Sequence, residues 1–214
     1  SICGERIARC TLELGGKSPM IVFSDFDLDV AVDYALFAIY CNSGQVCSAG
    51  SRMIVEDSIY ESFVKKMAER AQKIRVGPGL EDETEMGPLV SESQMKRVLE
   101  YIEVGKKEGA KLVTGGERLK GDKFGEGFYV SPTIFKDVKS DMRIVQEEIF
   151  GPVVVVQKFK SEEEAVELAN DSDYGLAGAV FTKDITRAHK VVKQLRAGIT
   201  WVNAYHNTYT ECPW

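Results

Sequence analysis

The stretch Gly151 to Phe159, GPVVVVQKF, carries the decision about fold. A strand with one wet face alternates apolar and polar residues, and Val153 to Val156 do not alternate. A continuous β-branched run reads as a strand covered on both faces, hence as part of a parallel sheet lying between helices. Segments of similar character recur downstream at AGAVFT, Ala177 to Thr182, and at GITWVN, Gly198 to Asn203. Upstream, RMIVE, Arg52 to Glu56, reads as a short strand. Helical patterns fill the intervals. Asp29 to Cys41 is so poor in polar residues that it should be mostly buried. Ser58 with Glu61, Ser91 with Gln94 and Ser161 with Glu164 form capping boxes that open helices. The first of these helices sets Ile59, Phe63, Met67, Ala71 and Ile74 on one face, and the second runs toward Gly109. Gly109 and Gly115-Gly116 bracket another short strand. A last helix spans about Asp184 to Leu195. Alternating strands and helices predict an α/β fold with a mostly parallel sheet flanked by helices. The stretches near Val76 to Val90 and Thr114 to Phe128, rich in glycine and acids, are expected to be surface loops. The 214 residues suffice for one large core, so residues 1–214 read as a single domain.

Composition narrows the function. Net charge is -6, which offers no electrostatic attraction to nucleic acid or to an anionic membrane. No apolar run is long enough to span a bilayer. The five cysteines form no CxxC pair, and His189 and His206 are the only histidines, so no metal site is expected. Reduced thiols fit a reducing compartment, most simply the cytoplasm.

Three short stretches carry candidate chemistry. In GQVCSAGSR, Gly44 to Arg52, Cys47 stands among small residues after a long apolar helix. A free cysteine is usually a small buried hydrophobe, and a nucleophilic one needs a partly open setting. In LELGGKSP, Leu12 to Pro19, Glu13 lies between leucines. Apolar flanks would desolvate the carboxylate, the condition that suits a general base, whereas a turn at a solvent-facing strand edge would leave it idle. Gly15-Gly16-Lys17-Ser18 echoes the end of a phosphate-binding loop, but Thr11 stands where that loop needs glycine. In QEEIFGP, Gln146 to Pro152, one of two acids can bond a sugar diol while Phe150 packs on a flat ring; an ordinary turn before a core strand is the alternative.

Taken together, LELGGKSP, GQVCSAGSR and EEIFGPVV, followed by NDSDYGLAGAVFT and AGITWVN, resemble the aldehyde dehydrogenase superfamily over essentially the whole chain. The resemblance implies that Cys47 is the catalytic nucleophile and Glu13 the general base. It implies that Glu148 binds the nicotinamide ribose of NAD or NADP, with Phe150 packing beside it and the Leu14 backbone at the carboxamide. The substrate would be a small-molecule aldehyde, oxidised through a cysteine thiohemiacetal and thioester. Val46 and Ser48 would flank it, and the small residues Gly44, Ser48, Ala49 and Gly50 would leave room and let backbone N–H groups reach the oxyanion. Tyr205 and Trp214 match positions lining the family's aldehyde tunnel. Two aromatics can hold a quaternary ammonium such as that of betaine aldehyde, or form a funnel for hydrophobic aldehydes.

The family's enzymes are far longer than this chain. The resemblance therefore places the dinucleotide-binding domain, with most cofactor contacts, before Ser1, and an oligomerisation strand after Trp214. A homo-oligomer is expected of the full-length protein, and edge-strand association of the chain itself. Two rival readings remain open: a thiol-dependent esterase acting through Cys47 and Glu13, and a folded scaffold without catalysis.

Overall fold

The computed structural model describes residues 2–10, 12–209 and 211. A seven-stranded sheet runs through the chain. Its strands are β1 (Pro19–Val22), β2 (Arg52–Glu56), β3 (Lys111–Thr114), β4 (Thr133–Lys136), β5 (Val153–Phe159), β6 (Ala177–Phe181) and β7 (Ile199–Val202), in the spatial order β3-β4-β5-β2-β1-β6-β7. Every pairing is parallel except β3 with β4 at one edge. The fold is thus the α/β architecture that the valine run predicts. Val153 to Val156 are all buried, because β5 lies inside the sheet and helices cover both faces.

The helices are α1 (Ile2–Glu5), α2 (Leu28–Tyr40), α3 (Tyr60–Ala71), α4 (Glu92–Lys107), α5 (Arg143–Gln146), α6 (Glu162–Asn170) and α7 (Ile185–Val192). One face of the sheet packs on α2 and α3 around Val32, Ile39, Phe63 and Met67, with Met53, Val154 and Val156 from the strands. The other packs on α6 and α7 around Ala165, Ala188 and Val191, with Ile21, Ile54 and Val180. Helix α4 covers the β4–β5 end through Val98 and Ile102.

Two predicted caps form. Ser91 accepts from the Gln94 N–H and Ser161 from the Glu164 N–H, both at 3.2 Å. The cap at Ser58 does not. Residues Asp57–Ile59 make a 3₁₀ turn, α3 starts at Tyr60, and Ser58 Oγ instead donates to Glu56 Oε1 at 3.4 Å. The sequence reading misses β1, β4 and the short α1 and α5. Strand β1 begins on a proline, which contributes no ladder donor at its first residue and masks a four-residue strand.

Candidate active site

Topology assembles the site. The Glu13–Gly16 segment leads into β1, the Cys47 turn into β2, and the Glu147–Phe150 turn into β5. These strands are neighbours in the order β5-β2-β1 and all parallel, so their lead-in segments meet at the N-terminal ends of the central strands.

Helix α2 ends at Tyr40, and the next residues turn back in the left-handed region: Asn42 at φ 49°, Ser43 at 58° and Gly44 at 73°. Such a conformation in non-glycine residues persists only where neighbours hold it. Ser43 Oγ donates to the Gly87 carbonyl at 2.8 Å, Asn42 Nδ2 to the Gln45 carbonyl at 3.1 Å, and Val90 N–H to Gln45 Oε1 at 2.9 Å. Gly44 lies against the Gly151 carbonyl, where a Cβ would not fit. A turn closed by Ala49 N–H to the Val46 carbonyl, 2.9 Å, then places Cys47 and Ser48 at its centre. Cys47 is half-buried and carries a free thiol.

The small residues divide between two uses: Gly44 and Ala49 line a cleft shared with Glu148 and Phe150, while Ser48 and Gly50 are buried in packing. Gly50 fits between Ala38 and the Tyr205 ring. The N–H groups of Ala49 and Gly50 are committed to the carbonyls of Val46 and Ala38, both at 2.9 Å, and so are not offered to an oxyanion.

The two acids of the third stretch separate cleanly. Glu147 is clamped by Arg143, whose Nε and Nη2 donate at 2.7 and 2.9 Å, and by the Tyr101 hydroxyl at 2.5 Å. The hydrogen bonds from Arg143, then Tyr101, hold its carboxyl down to about 2. Glu148 faces the other way. Its Oε1 accepts from the Gly16 N–H at 3.2 Å, and its carboxylate lies over Gly15. Phe150 follows at φ 59° and is 37% exposed. Helix α4 fixes this turn: Gln94 Nε2 donates to the carbonyls of Ile149 and Phe150 at 3.0 and 2.8 Å, and Arg97 Nη2 to that of Glu148 at 2.9 Å. A cleft lined by Gly16, Gly44, Val46, Ala49, Glu148 and Phe150 joins the three segments.

Other predicted residues fall elsewhere. Tyr205 is fully buried; its hydroxyl donates to the Ser48 carbonyl at 3.0 Å and its ring packs 4.8 Å from that of Trp201. It supports the Cys47 turn through Ser48 and, being buried, does not face open substrate space in this chain. Ser48 is also buried, its Oγ 3.4 Å from His206 Nδ1, so it does not face substrate space. Trp214 lies outside the described residues. Glu13 is exposed, and Leu12 and Leu14 beside it are 71% and 64% exposed, so the leucines do not desolvate the carboxylate within this chain.

The sequence reading also passes over two buried cations. Arg52, 1% exposed, donates from Nε to the Lys17 carbonyl at 2.8 Å, from Nη1 to that of Leu168 at 2.8 Å, and from Nη2 to that of Ala169 at 2.7 Å. It ties the lead-in of β1 to the C-terminus of α6, where cations suit the helix dipole. Burial brings its guanidinium down to about 10. Lys17 is 2% exposed and its Nζ has no hydrogen-bond partner among the described residues. Burial, then the charge of Arg52, lowers its ammonium to about 7, against the pull of Glu148 and Glu147. A cation opening an apolar strand and one following a glycine pair are visible in the sequence. Their burial is not.

The sequence profile of the aldehyde dehydrogenase family matches residues 1–214. A betaine aldehyde dehydrogenase of Bacillus subtilis (strain 168) is 52% identical over 208 residues, covering 97% of this chain and 42% of that protein. An aldehyde dehydrogenase of Enchytraeus buchholzi is 54% identical over 207 residues, 97% of this chain and 41% of that protein. A crystal structure of betaine aldehyde dehydrogenase from Staphylococcus aureus in complex with NAD+ superposes with a TM-score of 0.95 at 45% identity, covering 99% of this chain and 42% of that one. The chain spans less than half the length of these proteins.

Proposed function

This chain belongs to the aldehyde dehydrogenase family, and from that premise we propose that it is the thiol-bearing catalytic part of an NAD-dependent enzyme that oxidises an aldehyde to a carboxylic acid. The observation that carries the reading is the meeting of the segments that bear Glu13, Cys47 and Glu148 at the N-terminal ends of three adjacent strands, where Gly16, Val46 and Glu148 line one cleft. A carboxylate beside a partly exposed phenylalanine, over two glycines that put no Cβ in the way, fits a ribose diol and a flat heterocycle. NAD, when bound, supplies the hydride acceptor.

In the proposed reaction, the Cys47 thiolate adds to the aldehyde carbon and holds it as a thiohemiacetal; loss of hydride from that carbon leaves a thioester on Sγ. Glu13 takes a proton from the water that hydrolyses the thioester, releasing the acid and the thiolate. Glu148 and Phe150 hold the ribose and ring, and the Leu14 carbonyl orients the carboxamide. Because Glu13 is exposed in this chain, the rest of the enzyme, including a dinucleotide-binding domain, is proposed to cover these strand ends and exclude water. Full-length enzyme carrying Cys47→Ser should lose NADH formation by at least about a thousandfold, as for other removed nucleophiles. Glu13→Gln should accumulate acyl-enzyme, seen as added mass on the Cys47 peptide. If the Cys47→Ser variant turns over normally, the assignment is wrong.

The preferred substrate is proposed to be a quaternary ammonium aldehyde, an inference supported by the names of relatives such as that of Bacillus subtilis. It no longer draws on Tyr205, which is buried. The kcat/KM for betaine aldehyde should exceed that for its neutral isostere 3,3-dimethylbutanal by about tenfold or more, a difference of one cation–π contact. Equal values would leave a general aldehyde dehydrogenase.

A further inference from the structure

The di-glycine Gly15-Gly16 touches both other segments: Gly15 lies under the Glu148 side chain, and Gly16 against the Cys47 main chain. A Cβ on Gly15 would lie 2.7 Å from Glu148 Cδ and 2.9 Å from its Oε1, inside contact distance of a flexible side chain. A Cβ on Gly16 would lie 2.6 Å from the main-chain carbonyl oxygen of Cys47, which cannot swing away. The Gly16 N–H meanwhile donates to Glu148 Oε1 at 3.2 Å. We propose that the pair is a two-sided gauge: Gly15 sets where the Glu148 carboxylate rests, and Gly16 sets how closely the Cys47 turn approaches the Glu13 segment. These are positioning residues, and their assignment rests on the reading of Glu148 as ribose ligand and Cys47 as nucleophile.

The two glycines must then fail differently. Gly15→Ala displaces a side chain and leaves the backbone in place, so it should perturb cofactor binding and spare the thiol. Gly16→Ala moves the main chain of the nucleophile's turn, so it should perturb the thiol first. Removing the Glu148 side chain removes the atoms that clash with a Cβ at position 15, so Glu148→Ala should absorb the effect of Gly15→Ala. Contacting residues show such non-additivity, whereas independent sites add.

The test uses the full-length enzyme with Gly15→Ala, Gly16→Ala, Glu148→Ala and the Gly15→Ala/Glu148→Ala pair. Three readouts are the NAD dissociation constant by calorimetry, the iodoacetamide rate at Cys47 without cofactor, and the crystal structure of the cofactor-free Gly15→Ala enzyme. Expected results are about tenfold weaker NAD binding in Gly15→Ala with Cys47 alkylation within about twofold of wild type, a double variant no weaker than Glu148→Ala, and a carboxylate displaced from the Gly16 N–H. Gly16→Ala should change alkylation by more than about fivefold; should it fail to fold, the cycle at Gly15 and Glu148 still decides. Additive losses, or a carboxylate still bonded to Gly16 in Gly15→Ala, overturn the gauge. Unchanged NAD affinity in Glu148→Ala instead overturns the ribose assignment, and the crystal structure then judges the seat alone.

Discussion

Lys17 is a charged group where water cannot reach it, and its cost should be measurable. Burial lowers its ammonium to about 7, while the unfolded chain keeps it near 10.5. Between those values the unfolded state binds the extra proton, so stability should rise with pH by up to about 1.4 kcal/mol per unit and flatten above 10.5. Below 7 both states are protonated and the full penalty of burying the charge applies. Lys17→Met should therefore raise the Tm at pH 6 and abolish the climb between pH 7 and 9. A wild-type Tm flat over that range would contradict it. The same residue shows what a sequence withholds at this scale. LELGGKSP locates Glu13 and the glycines, but nothing in it says that the lysine points inward while the leucines point outward. Likewise two adjacent glutamates look alike in QEEIFGP, and only Arg143 and Tyr101 show that Glu147 is structural and Glu148 faces the cleft. Tyr205 misled for a related reason: an aromatic ring suits a tunnel wall and a core equally, and its hydroxyl bond to Ser48 decides for the core.

Helix α4 and strand β2 act as clamps on the lead-in segments. Gln94 holds the carbonyls of Ile149 and Phe150 across a left-handed residue, so Gln94→Ala frees a strained turn. The expected loss is about 1–3 kcal/mol of stability with a raised KM for NAD and a nearly unchanged kcat, since the thiol is untouched. A fall in kcat alone would argue that the turn does not serve the cofactor. Arg52 is the stronger clamp. Arg52→Ala strands the buried carbonyls of Lys17 and Ala169 and the part-buried one of Leu168, and should cost about 3 kcal/mol, read as a shift in urea midpoint. The fold class was legible because four consecutive valines admit few other environments. Helices α2, α4, α6 and α7 were legible from pattern and caps. Strand order was not, and it is the order β5-β2-β1 that turns three distant stretches into one site. The sequence motifs named the pieces by resemblance; parallel pairing explains why pieces so far apart in the chain can touch.

At the scale of the whole molecule, the sheet and its flanking helices form around three buried clusters of described residues, while Leu12, Glu13 and Leu14, just before the glycine pair, are left exposed. Scaffold and chemistry should therefore separate. The Cys47 turn is held by contacts within the chain, from Gly87, Val90, Tyr205 and Gly151, and should need no other domain to form. The water exclusion and most cofactor contacts proposed for the reaction do. The isolated 214-residue chain should accordingly alkylate at Cys47 with iodoacetamide faster than at Cys3 or Cys41, yet yield no NADH from aldehyde and NAD. Strand β7 adds a second consequence. It closes the sheet at one edge with its outer ladder unpaired within the described residues, and such an edge recruits strands from other chains. Light scattering of the isolated chain should show dimers or larger species growing with concentration, suppressed by a proline at Thr200, which removes an edge donor. Steady NADH production by the chain alone would mean that the cleft at the ends of the central strands already holds the cofactor. A strictly monomeric chain at high concentration would mean that β7 is protected by its own side chains, and that assembly of the full protein rests on another surface.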